Sequence, residues 1–98
     1  MTTDILTIDM FRDRIGQAFV IEEAEHRPIE LTLIEATLAH QFAPHHRQTF
    51  SLLFTSQPGI LIPQRTYALQ HPELGLLSIF LVPISQSEDK ATYQAIFN

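Results

Sequence analysis

Residues 76–82, Leu-Leu-Ser-Ile-Phe-Leu-Val, leave this chain few ways to fold. At two-residue spacing Leu77, Ile79 and Leu81 lie on one face and Phe80 and Val82 on the other, so a strand here is apolar on both sides and needs cover on both. The apolar run ends by Ile84, broken by Ser78 and Pro83, far short of the ~20 residues of a membrane-spanning helix. The spacing predicts a buried strand whose second face is covered by a helix or by a partner subunit.

A helix is predicted near the start. Thr7 can cap it, Asp9 suits its first turn, Ile8, Phe11 and Ile15 share a face, and Gly16 can end it. About two turns cannot hold alone, so its stripe must dock, and Phe11 with Ile15 is the expected cover for the fifth strand.

After Gly16 the period is two. Phe19 and Ile21 alternate with Ala18 and Val20 in a first strand, which stops at an acidic turn over 22–25. In a second strand over 29–38, Ile29, Leu31 and Leu33 oppose Glu30 and Thr32. Beyond Leu33 the phase inverts, with Ile34, Ala36 and Leu38 opposing Glu35 and Thr37, which predicts a β-bulge near Leu33–Ile34. Residues 39–48 read as a loop. Phe50, Leu52 and Phe54 mark a third strand, and residues 56–64 an irregular stretch in which Ile60, Leu61 and Ile62 pack on the body. Tyr67 and Leu69 point inward from a fourth strand, which a turn over 71–75 joins to the fifth. A sixth, 92–97, alternates Tyr93, Ala95 and Phe97 with Thr92, Gln94 and Ile96. The expected fold is mostly β: a small antiparallel barrel or roll of about six strands with one short N-terminal helix, residues 1–98 forming a single domain. The sixth strand runs to the end, so the domain reads as complete and untagged.

Without cysteine the sequence excludes disulfides, thiolate metal sites and a cysteine nucleophile, and agrees with a reducing compartment. No basic n-region or apolar h-region opens the chain, so no signal peptide is read and a cytoplasmic location is expected. A net charge of −5, with six scattered Lys and Arg, is the wrong balance for nucleic acid.

The candidate chemistry is sparse. His40, His45 and His46 share one loop and His26 lies elsewhere; adjacent loop imidazoles do not hold metal ligands on one rigid face, so they read as solvated. His71, before Pro72, could orient its turn by bonding a backbone carbonyl or could face a ligand; the turn role is the preferred reading, because turns recruit such local bonds routinely. Glu22, Glu23 and Glu25 read as a solvated hairpin tip. Glu35 is the one acid set in apolar sequence, but its phase puts it on the polar side, where no burial would raise its pKa. An enzyme acting through Glu35 and a loop histidine is therefore the weakest reading. No nucleophile elbow or phosphate loop is present, and no catalytic residue, metal or cofactor is implied.

In order along the chain come Gly16-Gln17-x-Phe19, Phe50-Ser51-Leu52-Leu53-Phe54, Tyr67-x-Leu69-x-His71-Pro72-x-Leu74-Gly75, Phe80-Leu81-Val82-Pro83 and Tyr93-x-Ala95-x-Phe97-Asn98. Together these strings resemble a family of small bacterial proteins classed as a domain of unknown function, whose members are often encoded beside phage-tail-collar-like (microcystin-dependent-like) proteins. Arg65 and Ser85 depart from it, at expected turns, where small residues are usual. The resemblance implies no activity and no site residues. Its context implies a non-enzymatic structural or interaction module, accessory to a phage-tail-like assembly, with a tail-collar-like protein or a second copy as partner and no nucleic acid or membrane. The alternative is a small-ligand carrier lined by Phe50, Phe54, Tyr67 and Phe80.

Overall fold

The computed structural model describes residues 6–22, 28–38, 49–57 and 61–97. A one-turn helix, α1 (Asp9–Arg12), precedes six strands: β1 (Ala18–Ile21), β2 (Ile29–Leu38), β3 (Phe50–Ser56), β4 (Arg65–His71), β5 (Gly75–Gln86) and β6 (Ala91–Phe97). They close into a barrel in the order β1-β2-β3-β6-β5-β4, every neighbouring pair antiparallel. This is the expected fold class.

Two-residue alternation places the core. Phe19 and Ile21, Leu31 and Leu33, Phe50, Leu52 and Phe54, Tyr67 and Leu69, Leu77, Ile79 and Leu81, and Tyr93 between Ala91 and Ala95 all point inward and form one buried cluster. Barrel closure alone therefore covers Leu77, Ile79 and Leu81, and their strand does not need the helix. Phe11 sits instead in the barrel's lower end, its ring centroid 6.2 Å from Phe19, 6.0 Å from Phe50 and 6.1 Å from Phe97. Ile15 is 47% exposed and is not part of the core cluster. Ile8, not Thr7, takes the cap position, and no side chain caps the helix. Gly16 does adopt positive φ, at 91°.

The predicted bulge is present. The β2–β3 register jumps between Leu33 and Glu35, leaving Ile34 unpaired and exposed. On the other side of β2, Gly16 N–H donates to the Leu33 carbonyl at 2.7 Å and Leu33 N–H to the Gln17 carbonyl at 3.1 Å. Beyond the bulge Ala36 packs on the core and Leu38, paired with inward-facing Phe50, shares its side but is 44% exposed at the strand's end, whereas Ile34, in the bulge, is exposed.

A second bulge, between Pro83 and Ser85, carries β5 past Val82, where the proline suggested a stop. Proline lacks the ladder donor, and a bulge is one of the few strand positions that tolerates it. Arg65 and Ser85, expected at turns, lie in strands.

β3 and β4 stand on opposite sides of the ring, and the described residues 61–64 that lead into β4 lie at the barrel's upper mouth. Ile62 plugs that mouth. Its N–H donates to the Tyr93 hydroxyl at 3.0 Å, and the Tyr67 hydroxyl donates to the Pro63 carbonyl. Leu61 is exposed, and Ile60 lies outside the described residues.

Candidate functional site

Two places differ from ordinary core and surface: a polar cluster at the lower rim and an uncharged outer wall. The cluster forms where the segment after α1 meets the β4–β5 turn. His71, inward-facing and buried, closes β4 opposite Gly75, whose φ of 79° only glycine readily adopts. The imidazole Nδ1 accepts the backbone N–H groups of Glu73 at 3.0 Å and Leu74 at 3.2 Å. Nδ1 therefore carries no proton, so Nε2–H donates to Gln17 Oε1 at 2.7 Å. The ring packs 4.8 Å from Phe19. Arg14 completes the cluster, its guanidinium 3.2 Å from Glu73 and donating to the Met10 carbonyl at 2.9 Å. Burial lowers the His71 pKa below its ordinary 6.5; the nearby Arg14 cation adds to this and Glu73 opposes it.

The expected turn role for His71 is what the geometry supports, with one correction: the ring accepts backbone N–H groups and bonds no carbonyl. A general base must offer a free nitrogen to a substrate. Both nitrogens here are spent on the fold, so this imidazole acts as a latch.

Of the other candidates only Glu22 and Glu35 are among the described residues, on separate parts of the barrel wall. Glu35 is exposed on the polar side, as expected, and accepts a hydrogen bond from the Thr37 hydroxyl at 3.0 Å. Glu22 is exposed at the end of β1. His26, His40, His45, His46, Glu23 and Glu25 lie outside the described residues. Among the described residues no three His, Cys, Asp or Glu are placed to hold a metal, and no helix is long and apolar enough to cross a membrane. Of the four aromatics expected to line a ligand site, Phe50, Phe54 and Tyr67 are core, whereas Phe80 points outward and is 48% exposed.

Phe80 belongs to the second place. The outward positions of three adjacent strands are Thr66, Ala68 and Gln70 on β4, Leu76, Ser78, Phe80 and Val82 on β5, and Thr92, Gln94 and Ile96 on β6. None is charged. Leu76 is 70% and Ile96 60% exposed, and the Val82–Gln94 register, continued by two residues, sets Phe80 beside Ile96. At one edge Val20, Glu22, Ala68, Gln70 and Leu76 line an open depression of about 230 Å³. The outward side of β1 and β2 is acidic by contrast, carrying Glu30 and Glu35, with Glu22 just beyond β1.

A family model matches residues 6–97, from α1 to the last residue of β6, and so spans this whole geometry. The chain belongs to DUF6916, a domain of unknown function. No curated protein and no solved structure matches it. Within this DUF6916 domain, Gln17 and His71, which stand in separate strings of the sequence, are the two ends of one hydrogen bond.

Proposed function

We propose that this domain is a non-enzymatic interaction module, accessory to a phage-tail-like assembly in the bacterial cytoplasm, with a tail-collar-like protein as its partner. The uncharged β4–β5–β6 wall carries this reading. A contiguous surface with Leu76, Phe80 and Ile96 exposed, on a chain of net charge −5, is what a protein contact requires and what solvation alone does not. The tail context rests on the resemblance to proteins encoded beside tail-collar-like genes. Acidity and scattered cations weigh against nucleic acid. A ligand carrier gains no support from an inward face packed as continuous core, the usual state of a small barrel. Size exclusion with light scattering, on the chain alone and with the neighbouring gene product, tests the proposal. A complex is expected; a strict monomer that binds no neighbour would sink it.

A further inference from the structure

We propose that the depression at the β1–β4 seam receives an arginine side chain from a protein partner; this names what the partner of the interaction module presents and rests on that reading. Val20, Glu22, Ala68, Gln70 and Leu76 line an open hollow of about 230 Å³. That is below the roughly 300–1,000 Å³ of a site for a whole small molecule and is the scale of one long side chain. The ladder registers order its surroundings. Val20 pairs with Glu30 on one side and Gln70 on the other, and Gln70 pairs with Leu76, so one outward row reads Glu30, Val20, Gln70, Leu76. The hollow therefore lies where the acidic β1–β2 side meets the uncharged wall.

Charge selects the occupant. Glu22 and Glu30 are both exposed. Continuing the β1–β2 register by two residues makes them diagonal neighbours, about 7–8 Å apart at the backbone. Among the described residues no cation pairs with either carboxylate: Arg12 is held by Asp9, Arg14 by Glu73, and Arg65 lies over the Tyr67 ring. On a chain of net charge −5 an anionic group is repelled from this spot and a cation is drawn to it.

The rest of the lining selects the kind of cation. Val20, Ala68 and Leu76 offer apolar contact to a long aliphatic stem, which lies along such a surface while its charged head stays in water. Guanidinium is weakly hydrated and carries its donors in a planar fork, enough to serve a carboxylate and the Gln70 side-chain oxygen together. An ammonium is a compact, strongly hydrated charge and fits this mixed lining less well. The apolar flank continues from Leu76 to Phe80, both exposed, so the partner segment carries apolar residues beside its arginine. One exposed ion pair with a stem contact is weak, so a short peptide is expected to bind with a Kd on the order of 1 mM. A partner that also covers the wall binds more tightly.

Amide NMR titration of the full chain with a capped Leu-Arg-Leu peptide tests this. Saturable shifts are expected at Val20, Glu22, Ala68, Gln70 and Leu76, and the citrulline counterpart, equal in shape and uncharged, should give none. Glu22→Gln should weaken binding about threefold or more. Glu35→Gln removes the same charge beyond the β2 bulge and should leave binding unchanged. Thermal melts should stay within a few degrees of the parent, since both positions are exposed; if Glu22→Gln melts early, Glu30→Gln repeats the test. No saturable shift up to about 10 mM peptide, equal binding of the citrulline peptide, or equal weakening by Glu22→Gln and Glu35→Gln would overturn the proposal. If the peptide fails while the neighbouring gene product binds the parent and Glu22→Gln alike, the site falls and the interaction module stands. Peptide binding without binding of that gene product upholds the site and sinks only the tail-collar partner.

Discussion

His71 shows how one side chain can tie distant parts of a small barrel together. Its Nδ1 organises the turn that follows it, while Nε2 reaches Gln17, 54 positions away. Protonating Nδ1 would remove both turn bonds and set a cation near Arg14. Folded His71 therefore holds its proton more weakly than the unfolded chain, where imidazole titrates near 6.5. Between the lowered value and 6.5 the unfolded state binds more protons, so stability rises with pH. The His71 contribution is complete above 6.5 and lost as pH falls through the folded value. Urea denaturation from pH 8 to 5 should show this slope, and His71→Ala should reduce it while costing about 2 kcal/mol at pH 8; an unchanged slope would assign it to other groups. Tyr93→Phe tests the upper plug. It leaves the Ile62 N–H buried without the acceptor it now has, and should cost about 1–2 kcal/mol in the same measurement.

Among the elements, strands were legible in the sequence and their covering was not. The period of two placed inward residues on every strand, and the phase inversion after Leu33 located the bulge, because a one-residue insertion is the simplest way to turn a face over. The doubly apolar fifth strand misled. Its inner residues are covered by closure, while Leu76 and Phe80 stay outside, and nothing local separates an apolar residue that will be buried from one that will be left exposed. The Gln17 partner of His71 was equally hidden, since sequence gives no sign of a contact across the barrel. α1 is too short to stand alone and depends on Phe11. Phe11→Ala should cost about 3–4 kcal/mol and speed hydrogen exchange at the Gly16 and Leu33 amides, whose bonds follow α1. Normal protection there would mean that this pairing holds without the helix. Gly16→Ala isolates backbone strain, because an added Cβ meets nothing within 4 Å and only the φ of 91° opposes it. A loss of about 1 kcal/mol is expected.

For the whole molecule, closure is the step that the sequence cannot order. Consecutive strands pair across β1–β2, β2–β3, β4–β5 and β5–β6, but the ring is completed by Phe50–Thr55 residues meeting β6 and by Val20 and Ile21 meeting Gln70 and Leu69. Both contacts join distant parts of the chain, so loop-closure entropy opposes them until the hairpins exist. They are unequal. The β3–β6 ladder has six registered pairs, whereas the β1–β4 seam has two among the described residues. The seam also adjoins the depression lined by Val20 and Gln70, where fewer neighbours support it. Native-state hydrogen exchange should therefore find the amides bonded across β1–β4 opening at a lower free energy than those across β3–β6, as a sub-global unit that leaves the rest of the barrel protected. Equal opening energies at both junctions would instead mean that Phe19 and Ile21, through the shared core, make the ring a single cooperative body.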